Sequence, residues 1–183
     1  MESDDLHRLA AEVFWLDREL PEMVFRNTEL SFYATESLCP FMEPLTTLIG
    51  EMVRALEPPE HQQLYWVDRQ GDAGVLRDWG ESGSLYPAWS SVLEEHHGII
   101  PELLMYSPSG SWGLWMRLEF EIAMLGIPSG MDPLLRARIE EYFSPSIEDF
   151  VDELMRPLGP LNPQWQADLD TIVLRYGPNH GYS

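Results

Sequence analysis

Residues 99–127 read IIPELLMYSPSGSWGLWMRLEFEIAMLGI, and the fold class turns on this stretch. Its first part, 99–106, is apolar and rich in β-formers, with Pro101 marking an edge or an irregular start. Ser107-Pro108-Ser109-Gly110-Ser111 is a turn signal, built from residues that bond their own backbone or tolerate unusual dihedrals. Beyond it, Trp112, Leu114, Met116 and Leu118 alternate with Trp115 and Arg117. Phe120, Ile122 and Met124 then alternate with Glu121, Ala123 and Leu125. A period of two is the mark of a strand. The alternation is equally compatible with one long strand over 112–125 and with two strands joined by a tight turn near Leu118.

Working outward, 64–67 (LYWV) is a further short β-prone run, 68–74 reads as a turn, and 75–79 is a candidate returning strand. Helical spacing dominates both flanks. Leu6, Leu9, Ala10, Val13, Leu16 and Leu20 predict an N-terminal helix capped by Ser3 and ended by Pro21. Phe41, Leu45, Leu48, Ile49, Met52 and Leu56 predict a second, stopped by Pro58-Pro59. Residues 86–97 predict a third, closed by Gly98. Asp132-Pro133, Ser144-Pro145 and Asn162-Pro163 each pair an N-cap residue with proline at the first helical position, so each opens a helix. The segment 23–35 admits either strands or irregular structure. Helices, then strands, then helices predict an α+β fold: a single domain over 1–176, with a central antiparallel sheet at about residues 63–127 between N-terminal and C-terminal helices. Residues 177–183 are expected to form a flexible tail.

The composition excludes several functions. Acids number 31 against 11 basic residues, a formal net charge of -20. Every one of those basic residues is arginine. A phosphate-binding loop, a protein-kinase site and Schiff-base chemistry all require lysine, so all three are excluded. A single cysteine, Cys39, excludes an intrachain disulfide, a CxxC pair and any multi-cysteine metal site. The charge repels nucleic acid and anionic lipid and attracts a basic protein. The acidic, polar start of the chain and the lack of a long apolar run predict a cytoplasmic protein that does not cross a membrane. No cofactor and no metal is expected, and the oligomeric state is not legible.

Four groups of residues are candidates for function. His96-His97 stand at a predicted helix end, pointing about 100° apart, which is poor geometry for sharing a metal. Neither Gly80-Glu81-Ser82-Gly83 nor Ser109-Gly110-Ser111-Trp112-Gly113 is a nucleophile elbow, and both read as turns. Glu119 and Glu121 are two apart, so on a strand both project from one face, as a general acid–base pair would. The densest acidity lies at 140–153, with six acids and no base. Within it Glu148, Asp149, Asp152 and Glu153 sit at i, i+1, i+4 and i+5, opposite the apolar stripe. Like charges at that spacing cost a helix a few tenths of a kcal/mol per pair, a cost an evenly mixed surface avoids. Trp79, Tyr86, Trp89 and Trp115 fall beside turns or on the outer side of a strand, where aromatics next to acids serve as binding hot spots for basic surfaces.

The stretches 106–115 (YSPSGSWGLW) and 120–126 (FEIAMLG) resemble a segment of bacterial toxin immunity proteins: a turn, a Trp-Gly strand, then an apolar strand ending in glycine. Such proteins are small, acidic and without catalytic residues, and they neutralise toxins that are often nucleases. The resemblance implies a non-catalytic, acidic protein-binding module that occludes a basic toxin. The resemblance transfers no binding residues; the charge and aromatic pattern places the partner-binding residues at Glu148, Asp149, Asp152, Glu153, Glu119, Glu121 and Trp115. The alternative expectation is a hydrolase using Glu119 and Glu121 or the His96-His97 region.

Overall fold

A computed structural model describes residues 2–18, 22–27, 29–36, 43–77, 85–95, 100–156 and 162–177. The stretch 99–127 folds as expected from its alternation. β4 (Glu102–Tyr106) pairs with β5 (Gly113–Arg117), and β5 pairs with β6 (Ile122–Pro128), both antiparallel. The open question at Leu118 resolves as two strands. A 3-10 turn at Leu118–Phe120 interrupts the run, and Glu121 closes it in the left-handed conformation with φ 55. On the far side, β2 (Leu64–Asp68) pairs with β4, and β3 (Ala73–Leu76) pairs with β2.

The sheet reaches further upstream than the sequence predicts. β1 (Leu30–Glu36) lies beside β6, completing a six-stranded sheet in the order β1-β6-β5-β4-β2-β3. Its pattern escapes a search for alternation because most of β1 is buried: both faces of the sheet are covered, and Phe32, Tyr33 and Ala34 all point into core.

One face carries α1 (Ser3–Val13), α5 (Ile147–Met155) and α6 (Pro163–Tyr176) over Tyr65, Leu104, Tyr106, Trp115 and Met124. The other carries α2 (Glu43–Leu56), α3 (Tyr86–Glu95) and α4 (Pro133–Glu140) over Trp66, Leu103, Leu114, Met116 and Leu125. The result is an α+β fold with the sheet as its middle layer. The period-two alternation is thus real, but it sorts side chains between two cores rather than between core and water.

The helix boundaries show where local signals lose to packing. Glu2 occupies the first cap of α1, and Ser3 Oγ instead donates to Gly71 O at 3.2 Å. The helix stops at Val13 because Phe14 turns extended and bridges Phe25, with Trp15 N–H donating to Val24 O at 2.7 Å. Two strand glycines make room for these rings. Gly113 and Gly126 face each other across β5 and β6. A Cβ at Gly113 would stand 2.6 Å from Phe14, and one at Gly126 would stand 3.1 Å from Phe25. Asp132 and Asn162 cap α4 and α6 as their spacing predicts. Ser144 does not open α5. Ser146 caps it, accepting from Asp149 N–H, while Ser144 forms a backbone bridge to Ala34.

Tyr176, at the end of α6, ties the termini together. Its hydroxyl accepts from Val24 N–H at 2.8 Å and donates to Glu22 O at 2.8 Å. Burial pushes this phenol far above its ordinary range, with the Val24 hydrogen bond and then the nearby Arg175 and Arg18 opposing only in part. Tyr176→Phe keeps the ring against Phe25 and Phe32 but strands a buried backbone amide. Urea denaturation should show a loss of about 1–3 kcal/mol, the cost of an unsatisfied buried donor.

Candidate functional site

The acids at 140–153 gather along the outer edge of the sheet. Ala34 N–H donates to Ser144 O at 3.0 Å, and Ser144 N–H donates to Ala34 O at 2.8 Å, which pins the α4–α5 connection to β1. Beside this bridge runs an open groove of about 550 Å³, lined among others by Glu36, Glu140, Glu141, Tyr142 and Phe150. Phe150 belongs to α5, so the helix carrying Glu148, Asp149, Asp152 and Glu153 contributes one wall. Those four acids are exposed while Ile147 and Val151 are buried, the division the i, i+4 pattern predicts.

Neutralisation of this region is slight. Arg138 pairs with Glu141 and approaches Glu51 at 3.7 Å. Among the described residues no basic side chain pairs with Glu36, Glu140, Glu148, Asp149, Asp152 or Glu153. The field reaches inward as well. The Tyr33 phenol is raised chiefly by burial, with Arg136 lowering it and Glu140 raising it further. Tyr142 and Phe150 are half-buried at the groove. An acidic trough with aromatic walls suits arginine and lysine side chains, through ion pairing and stacking on the ring faces.

Glu119 and Glu121 do not share a strand face. The tight turn that separates β5 from β6 places Glu119 within the 3-10 segment and Glu121 at its left-handed end. Both are exposed, and Glu119 Oε2 accepts from Arg117 at 2.7 Å. The pair lines neither groove described here, so the general acid–base geometry expected of two strand carboxylates does not form.

Trp115 is 0% exposed. The sequence places it opposite Leu114 correctly, but α1, α5 and α6 cover that face, so Trp115 is a core residue and not a surface hot spot. Phe14 meets it edge-on at 6.2 Å, and the Arg69 guanidinium lies 5.0 Å from its ring centre. Trp89 is likewise fully buried, 6.0 Å from Trp66, and Tyr86 is half-buried. Trp79, His96, His97 and the predicted tail at 178–183 lie outside the described residues.

A second hollow of about 370 Å³ is lined by His7, Leu16, Asp68, Arg69 and Gln70 among others. Two of its strongest polar groups already have internal work. Asp68 Oδ1 accepts the backbone N–H groups of Gln70, Gly71 and Asp72 at 2.9, 2.8 and 2.8 Å. Arg69 pairs with Glu102 at 2.9 Å and donates to Arg18 O. Among the described residues no three His, Cys, Asp or Glu side chains converge as a metal site would require, and no helix is long and apolar enough to cross a membrane.

The aromatic lining of the acidic groove was not legible in the sequence. Glu36 lies over a hundred positions from Glu140, and only the β1–Ser144 bridge brings them to one trough. The unusual density of acids at 140–153 was the one signal available. Comparison of the chain with family models, with curated proteins and with solved structures gives no match.

Proposed function

We propose that the protein is a non-catalytic binding module that captures a basic partner protein, acting as an immunity or inhibitor protein against a basic toxin. The observation that carries this reading is the acidic groove at the β1 edge. Its carboxylates are largely unneutralised, three aromatics, Tyr142, Phe143 and Phe150, line it, and α5 extends the negative surface beside it. The formal charge of -20 adds long-range attraction. A nuclease must present positive charge to hold a phosphate backbone. A rigid acidic trough can occupy that surface with no chemistry of its own.

The test is co-expression and titration with the basic product of a neighbouring gene. The expected result is a stoichiometric complex whose association slows steeply as salt rises from 50 to 500 mM, roughly the range over which screening shortens from beyond 10 Å to below 5 Å. Glu36→Lys combined with Glu140→Lys should weaken it at least about 10-fold, because each introduces repulsion where attraction stood. No complex, or a complex indifferent to salt and to both substitutions, would discard the proposal.

A further inference from the structure

The turn between β4 and β5 holds a polar cluster that the proposed partner surface does not use. Glu57, just past the end of α2, is only 4% exposed. Its Oε1 accepts from Ser109 Oγ at 2.5 Å and from Ser111 Oγ at 3.3 Å. Its Oε2 is buried and, among the described residues, has no hydrogen-bond partner. Ser107, itself 1% exposed, places its Oγ 3.2 Å from Ser109 Oγ and 3.4 Å from Ser111 Oγ. No basic side chain among the described residues pairs with Glu57.

Proton counting shows what such a cluster lacks. Three hydroxyls supply three protons, and each can serve one acceptor at a time. Ser109 cannot donate both to Glu57 and to Ser111, although it lies within reach of each, 2.9 Å from Ser111 Oγ. Ser107 Oγ already accepts from Ser111 N–H at 3.2 Å. The lone pairs of one carboxylate and three hydroxyls therefore outnumber the protons that could fill them. A carboxylate removed from water and left without a counter-charge is a heavy cost to a fold.

The arrangement of oxygens indicates what would relieve it. The serine hydroxyls stand 2.9 to 3.4 Å from one another, and Glu57 Oε1 stands 3.3 Å from Ser111 Oγ and 2.5 Å from Ser109 Oγ, the last a hydrogen bond that opens as a cation takes its place. Around an octahedrally held ion with oxygens at about 2.3–2.4 Å, adjacent donors lie roughly 3.3 Å apart. All the donors are hard oxygens, with no nitrogen or sulfur among them.

We infer that Glu57, Ser107, Ser109 and Ser111 form a binding site for a hard cation of the size of Ca²⁺ or Na⁺, joining the end of α2 to the β4–β5 turn. A single carboxylate among neutral donors places the affinity in the millimolar range of the weakest protein calcium sites. Serine-rich turns read as plain turns in sequence, since Glu57 lies some fifty positions away and only the fold brings it in.

Thermal unfolding in CaCl₂ and in NaCl, each against choline chloride at matched ionic strength, tests the site. Either cation at about 20 mM should raise Tm by roughly 4 °C for a millimolar site. A surface variant with Glu148→Gln, Asp149→Asn, Asp152→Asn and Glu153→Gln should keep that rise, which separates the site from diffuse screening of the acidic surface. Glu57→Gln should abolish it. Ser109→Ala, at an exposed position that leaves packing intact, should weaken cation affinity at least threefold by calorimetric titration. Equal Tm values in all three salts, or a rise that persists in Glu57→Gln, would overturn the inference.

Discussion

Trp115→Ala is expected to remove about 3–5 kcal/mol of stability, read as a fall in the urea midpoint with little change in slope. Against a total of about 5–15 kcal/mol for an ordinary domain, that loss takes a third or more of the margin of all but the most stable domains and shows as a clearly lowered melting temperature. Trp115 sits at the centre of the sheet, on β5 between β4 and β6, and beneath α1, α5 and α6. Its removal opens a cavity among Phe14, Leu104 and Met124, and Arg69 loses the ring it lies against. Neighbouring strands cannot collapse into such a space, because their register is fixed on both sides. Trp115→Phe offers a contrast. The Trp115 indole N–H is buried with no acceptor among the described residues, so phenylalanine removes an unsatisfied donor while keeping most of the ring. It should cost markedly less than alanine. Equal losses from the two substitutions would show that ring packing is not what Trp115 contributes.

Reversing the charge at Glu148, Asp149, Asp152 and Glu153 to lysine is expected to slow association with the basic partner by about 100-fold at low salt, with dissociation changed far less. All four side chains are exposed, and none is paired with a base among the described residues. The fold should therefore survive. Glu148 and Asp149 occupy the first turn of α5, where acids complement the positive helix end, so their reversal costs about 0.3–1 kcal/mol each. Stopped-flow mixing at increasing salt separates the contributions, because steering fades with ionic strength while direct contacts do not. Association that stays fast in the variant would move the partner surface away from α5.

These two expectations mark what could be read in the sequence. The strands at 102–106, 113–117 and 122–128, the capped starts of α4 and α6, and the outward acids of α5 all follow from local rules of period, capping and charge. What was illegible is the layer that covers each surface. The alternation at 112–118 says that Trp115 and Leu114 point opposite ways, but it does not say which side is water and which is core until α1, α5 and α6 are placed. The same blindness hid β1. A strand with both faces buried loses its alternation, and nothing local distinguishes 30–36 from an irregular apolar segment. Phe14 shows the limit from the other side, since helical spacing continues to Leu20 while the Gly113–Gly126 hollow draws the chain out of the helix at Val13.

The clasp between Tyr176 and residues 22–24 carries a consequence for how the molecule is made. Leu30 must find Pro128, and Val24 must find a hydroxyl 152 residues away. Such distant pairings form later than the local hairpins, because the entropy of closing a long loop is lost before the contact rewards it. During synthesis residues 22–36 are made before β6 and α6 exist for them to pair with. Their apolar side chains and the unpaired edge of β1 stay open to solvent for the whole of that interval. Strands β2 to β6 pair with near neighbours in the chain and can assemble early, whereas β1 and the clasp at residues 22–24 close only when β6 and then α6 arrive.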